Sequence, residues 1–193
     1  MGTDIRLYRE KRVDGRWLAA DAWESEEFRG ELRMRVRPGT RFDERNYILF
    51  DLLHAGARAE TYPFSFAPRG VPPDLSPELK AALAVETTLD NACSYLYLHE
   101  LRDFLGFLAT ATIPVAGYMA APALVELDAT IAAGAPDWRL LATIEPRPKG
   151  ADFRPCRFDV PAEQVVGAAL GRLIAGFDGM AGDNHRIVFY FDT

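Results

Sequence analysis

This 193-residue sequence predicts an α+β fold: a mainly antiparallel sheet that takes in both chain ends, with helices packed mostly on one face. Three observations carry that expectation. The chain closes on His185-Arg186-Ile187-Val188-Phe189-Tyr190-Phe191-Asp192, whose β-branched and aromatic residues make a strand bulky on both sides, hence an interior one. It opens on a strand, a turn and a second strand. Between the ends, helical and extended segments follow one another without the strict alternation of a parallel βαβ fold.

From the amino terminus, Ile5 and Leu7 alternate with Arg6 and Tyr8 across Asp4 to Glu10, and Asp14-Gly15 supplies the turn into Arg16-Trp17-Leu18-Ala19-Ala20. Leu32, Met34 and Val36 alternate with Arg33, Arg35 and Arg37. That strand has one apolar face and one face of arginine, and Pro38-Gly39 stops it. Asp43 is placed to cap a helix whose apolar side includes Tyr47, Ile48, Leu49, Phe50, Leu52 and Leu53, and Gly56 ends it. Four of the thirteen prolines lie between Tyr62 and Pro73, which dictates a long loop where function is expected. Ser76-Pro77-Glu78 then starts a short helix, with a hydroxyl cap before a first-turn proline and acid.

Leu98, Leu101, Arg102, Leu105 and Leu108 have helical spacing, and Phe104 and Phe107 widen the apolar side. Ile113 to Met119 reads as a strand and Pro122 opens a helix that runs to Gly134. Trp138, Leu140, Ala142 and Ile144 alternate as a strand would. Pro161 begins the most regular helix, in which Val165, Val166, Ala169, Leu170, Leu173, Ile174 and Phe177 recur on one side.

At 49% hydrophobic and 26% charged the chain has a globular composition, and its length makes a single domain over 1–193 the expectation. A net charge of -6 argues against extended nucleic acid as a partner. Two cysteines, Cys93 and Cys156, are too few for a secreted disulfide framework, and no basic-then-apolar leader opens the chain. The apolar stretches fall short of the roughly 20 residues of a membrane span. A cytoplasmic protein with no membrane partner is expected.

The sequence contains no P-loop, H-E-x-x-H, G-x-S-x-G, paired C-x-x-C or Gly-rich dinucleotide fingerprint, so it implies no cofactor. His54, His99 and His185 are too far apart in sequence to suggest a metal pair. Arg33, Arg35 and Arg37 admit two readings: guanidinium forks for phosphate or carboxylate, or a solvated strand face beside Glu24, Glu26, Glu27 and Glu31. Cys93 with His99, oriented by Glu100 or Asp103, reads either as nucleophile and base or as a buried inert thiol and a partly exposed histidine. Arg45-Asn46-Tyr47 opens a helix, where free backbone amides welcome an anion; alternatively Tyr47 simply packs.

An ordered set of short motifs runs through the chain: Met1-Gly2, Asp4-Ile5, Arg45-Asn46-Tyr47 with Phe50, Arg69-Gly70 with Pro72, Asp74 and Ser76, then Ser94-Tyr95-Leu96, Glu100-Leu101, and Val188-Phe189 with Phe191-Asp192. In this it resembles a family of uncharacterised phage and bacterial proteins that begin Met-Gly-Cys-Asp-Ile-His and end Val-Phe-x-Phe-Asp-Asn. Thr3 and Arg6 stand where that family has Cys and His, and Asn91 and Cys93 stand near its His-rich pair. The resemblance implies mobile-element kinship and a shared architecture, with any metal or acid–base function of those positions lost here.

The function expected is a binding protein that sequesters, senses or inhibits. It would hold a small anionic or nucleotide-like ligand through Asp4, Arg6, Arg45, Asn46, Arg69 and Tyr95, gathered by neighbouring terminal strands. Two alternatives stand beside it: a metal-dependent hydrolase or nucleotide-processing enzyme using Asp4, Asp74, His99 and Glu100, and a protein-inhibitor surface without a pocket. The edge of the Arg33 strand offers a homodimer contact.

Overall fold

In the computed structural model the two ends of the chain pair. β1 (Asp4–Val13) and β8 (His185–Asp192) run antiparallel, from Asp4 opposite Asp192 to Lys11 opposite His185. The structure describes residues 4–28, 30–42, 46–55, 62, 64–84, 93–144, 152–180 and 184–192. They belong to two compact units, Met1–Asp103 with Ala169–Thr193, and Phe104–Ala168. The architecture is α+β, and its main sheet is antiparallel.

In the first unit the sheet order is β2-β1-β8-β5, with β2 at Arg16–Ala19 and β5 at Cys93–Tyr97. β8 is therefore interior, and every residue from His185 to Phe191 is buried. Asp14 and Gly15 join β1 to β2 with φ of 49° and 79°, a pair of left-handed residues whose twist suits a tight hairpin. Neighbouring residues on a strand point to opposite sides, so the registers sort this sheet into two faces.

One face carries Tyr8, Val188, Tyr190, Cys93 and Tyr95. These pack against Leu79 and Leu83 of α2 (Pro77–Ala84) and against Trp23. The other face presents Phe191 to Phe50 and His54, at and just beyond α1 (Tyr47–Leu53), with ring centroids 5.6 and 5.5 Å apart. The end of α5 (Ala168–Ala175) lies on that second face too, where Phe177 meets His185.

β3 (Trp23–Phe28) and β4 (Glu31–Val36) form a separate hairpin. Its arginine face is a ladder of ion pairs, Arg33 to Glu26, Arg35 to Glu24 and Glu26, and Arg37 to Glu24, which is the solvated reading of that strand. On its apolar face only Val36 is buried; Leu32 is 80% exposed.

Two capping expectations differ from what forms. Asn46 caps α1, its Oδ1 accepting from the Leu49 amide at 3.0 Å; Asp43 and Gly56 lie outside the described residues. At α2 the Ser76 carbonyl starts the helical ladder, while its buried Oγ has no hydrogen-bond partner among the described residues. The Ser76 amide donates to Glu10 at 2.7 Å.

The second unit is a hairpin of β6 (Thr112–Ala120) and β7 (Phe153–Pro161), with α4 (Ala121–Ala132) following β6 directly. The expected strand at Trp138–Ile144 is instead a 3-10 helix over Trp138–Thr143. Asp137 starts it by accepting from the Arg139 amide at 3.1 Å. Leu141 is buried in it, three residues after the half-buried Trp138 and three before the half-buried Ile144, a period of three, while Arg139 is exposed. Pro161 closes β7, and the helix begins beyond it with a π-turn over Glu163–Gly167. Gly167 permits that turn, since a Cβ there would lie 2.9 Å from Glu163 Cγ. No helix among the described residues is long and apolar enough to cross a membrane.

Candidate functional site

Two arginine-rich places stand out in the first unit. The first is centred on Arg186. In register across β1 and β8 it faces Glu10, with Nε 2.8 Å from Oε2 and both side chains sealed from solvent. Its Nη1 donates to Asp74 Oδ1 at 2.8 Å and its Nη2 to the Asp74 carbonyl at 3.1 Å. The Trp17 indole donates to Asp74 Oδ2, and the Arg186 guanidinium lies 4.0 Å from the Trp17 ring centroid. Burial pushes the Asp74 carboxyl up, but the Arg186 and Trp17 bonds outweigh it and hold it below the usual aspartate range.

Beside this network Arg69 forms a two-pronged pair with Glu100, at 2.8 and 2.5 Å, and lies over the Tyr95 ring at 5.4 Å. Glu100 sits in the first turn of α3 (Leu98–Leu108) and reaches back to accept from the Tyr97 amide at 2.8 Å. That is the acidic half of a capping box. Burial raises the Glu100 carboxyl, but the bonds from Arg69 and the Tyr97 amide outweigh it and hold it below the usual glutamate range, so it stays ionised. The Arg69 amide donates to Ser94 Oγ. The proline-rich loop is thus fastened at Arg69, Asp74 and Ser76, and its arginine already holds an anion of the protein's own.

The expected ligand residues divide between these surroundings. Arg69 and Tyr95 meet. Arg6, opposite Tyr190, is half-buried on the same sheet face as Tyr95, two strands away. Asn46 belongs to α1, which packs on the other face, and its side-chain oxygen is engaged as a cap. Arg45 lies outside the described residues, and Asp4 is described through its backbone only. Of the weaker catalytic candidates, His99 is exposed and stacks on Tyr97 at 5.7 Å, beside the engaged Glu100. Burial pushes the Cys93 thiol up to about 11, which leaves it a neutral packing residue. Among the described residues no group of three or more His, Cys, Asp and Glu could hold a metal ion.

The second place is a cleft of about 230 Å³ near the carboxyl end of α5. Thr40, Arg41 and Phe42, from the loop after β4, line it together with Arg172, Leu173 and Gly176, and Arg9 ties the two segments. Arg9 Nη2 donates to the Thr40 carbonyl at 2.8 Å and Nη1 to the Gly176 carbonyl at 2.5 Å, while Nε and the backbone amide both bind Asp21 at 2.6 Å. That fan of bonds fixes the guanidinium in one orientation. Gly176 is needed for it: a Cβ there would lie 2.5 Å from Arg9 Nη1. Arg41 and Arg172 are both exposed, and the described lining contains three arginines and no carboxylate. In a chain with 28 acidic and 22 basic residues, that is a local reversal of sign.

Sequence reading missed this cleft, because its arginines lie at positions 9, 41 and 172 and no periodicity links them. The Arg186 network left a fainter signal, a charged residue inside an otherwise apolar strand. Fold and site together define an α+β protein with an arginine-lined cleft. The chain matches no protein-family model, no curated protein and no solved structure.

Proposed function

We propose that this protein binds a small anionic ligand without turning it over, and that the cleft lined by Arg9, Arg41 and Arg172 receives it. The observation that carries this reading is the lining itself, three arginines and no carboxylate among the described residues, with the Arg9 guanidinium oriented by three hydrogen bonds. Arginine forks pair with phosphate and carboxylate oxygens two at a time, so anions are the chemistry such a lining recognises. Asp74 and Glu100, acids that a metal-dependent enzyme would use, are occupied by Arg186 and Arg69, which favours binding over catalysis. The ordered terminal motifs support kinship with phage and bacterial proteins, and a cytoplasmic sequestering or sensing role fits a small negatively charged metabolite.

The test is thermal unfolding of the whole protein against a panel of small anions, with native mass spectrometry for any ligand retained through purification. A saturable rise in Tm with at least one anion, abolished in Arg41→Ala and Arg172→Ala, is the expected result. Folded protein that responds to none of the panel overturns the reading.

A further inference from the structure

We infer that the cleft takes up its anion together with a proton from water, which goes to Asp21, the buried carboxylate that Arg9 holds. This deepens the anion-binding reading of the same cleft and rests on it. The geometry that carries it is a guanidinium shared between two places. Arg9 lines the cleft, and its Nε donates to Asp21 Oδ1 at 2.6 Å while its amide donates to Oδ2 at 2.6 Å. Asp21 is not among the lining residues, and its side chain is 2% exposed against 16% for Arg9. A guanidinium has five N–H donors, and the bonds to Asp21, Thr40 and Gly176 use three of them. An anion in the cleft therefore meets a cation whose charge Asp21 already draws on.

Burial disfavours the ionised form of Asp21, and the bonds and charge of Arg9 are what oppose burial. From the elements around it, Arg9 of β1 is the charged group in contact with Asp21; Arg37, just beyond β4, pairs with Glu24 of β3, and Arg41 and Arg172 reach the cleft from the loop after β4 and from α5. A negative charge added beside Arg9 weakens its support for the carboxylate. Asp21 then takes a proton, and the full charge of Arg9 serves the ligand. Arg9 keeps its orientation, because a protonated carboxyl still offers an oxygen to Nε and to the amide. The Asp21 carboxyl lies above the usual aspartate range before the anion arrives, and the anion raises it by about one unit more, the scale of two charges several ångströms apart in a partly screened site. Affinity is therefore highest below the free-state pKa and falls as pH rises from the free to the bound value.

Calorimetric titration of the full chain with sodium sulfate, whose charge is constant over the range, tests this in two buffers of different ionisation enthalpy. Sulfate binding should bring net proton uptake, and its affinity should fall about tenfold between about pH 4.5 and about pH 8. The carbon-13 resonance of the Asp21 carboxyl should report a pKa about one unit higher in saturating sulfate than without it. Asp21→Asn, which fixes the side chain in a neutral form, should bind sulfate without proton uptake and keep the stronger low-pH affinity throughout. Saturable sulfate binding without proton uptake by the parent protein overturns the coupling and leaves the anion site in place. Proton uptake with the Asp21 resonance unmoved overturns the role of Asp21, a result that does not depend on whether Asp21→Asn folds. No saturable sulfate binding at any pH overturns this inference, and failure of the whole anion panel overturns the anion reading with it.

Discussion

Arg186 and Glu10 stand opposite one another on the two terminal strands, 2.8 Å apart and with side-chain exposures of 1% and 0%. They join residues 176 positions apart in sequence, so the pair forms only when the chain ends meet. A buried ion pair does little for net stability against an apolar replacement, but removing one partner strands the other charge in a low-dielectric interior. Arg186→Met should therefore cost about 3–5 kcal/mol, and Glu10→Leu a similar amount. The double variant should cost much less than their sum. Urea unfolding of the four proteins in a double-mutant cycle measures this, and strict additivity would refute the coupling.

Glu100 gives the fold a dependence on acid. Burial works against its ionised form, yet the bonds from Arg69 and the Tyr97 amide prevail, so its folded pKa lies below its unfolded one. The unfolded chain then binds the proton more readily. Stability from this residue is present above the unfolded pKa and lost as pH falls through the folded value. Asp21 has the opposite sign: burial raises it against the bonds from Arg9, so its contribution is present below its unfolded pKa and fades as pH rises through the folded one. Urea midpoints at about pH 7 and about pH 3 should differ less in Glu100→Gln than in the parent protein. An unchanged difference would remove Glu100 from the acid response.

Cys93 is fully buried beneath α2 in the cluster of Leu79, Leu83, Val188 and Tyr190, and burial pushes its thiol up to about 11. Little thiolate exists near neutral pH, and the reagent would have to enter the core to reach it. Cys156 is only partly buried, although burial raises its thiol too. Thiol titration with an aromatic disulfide should modify one cysteine slowly in the native protein and both at once in urea. Rapid native labelling mapped to Cys93 would contradict the packing described here.

How much of this was legible in the chain depends on range. The terminal strands could be read because bulky residues at successive positions need cover on both sides, and β8 does lie between β1 and β5. The Asp14-Gly15 turn and the proline-marked starts of α2 and α4 were local signals, set by residues a few positions apart. Trp138–Thr143 misled because alternation over a few residues also fits a period of three, and Asp137 decides between them. β3 and β7 are rich in charged residues and proline, which hid them until their partner strands were known. The arginine cleft depends on residues 9, 41 and 172, whose meeting follows from topology alone.

Two glycines at the carboxyl end of the chain separate backbone cost from steric need. Gly171 lies within α5, and nothing stands within 4 Å of where its Cβ would be. An alanine there keeps the helix and lowers the entropy of the unfolded chain, so Gly171→Ala should stabilise by roughly 0.5–1 kcal/mol. Gly176 follows the helix, and its Cβ would lie 2.5 Å from Arg9 Nη1 and 3.2 Å from the Leu173 carbonyl. The carbonyl cannot move without disturbing the last turn of α5, so the Arg9 guanidinium must leave its bond to the Gly176 carbonyl. Asp21, Thr40 and the cleft wall would shift with it. Gly176→Ala should therefore destabilise by about 1–3 kcal/mol and weaken small-anion binding at the cleft, whereas Gly171→Ala raises the Tm and leaves binding intact. Calorimetric scans and titrations of both variants decide the matter, and a Gly176→Ala protein as stable as the parent would show that Arg9 is not held where it lies.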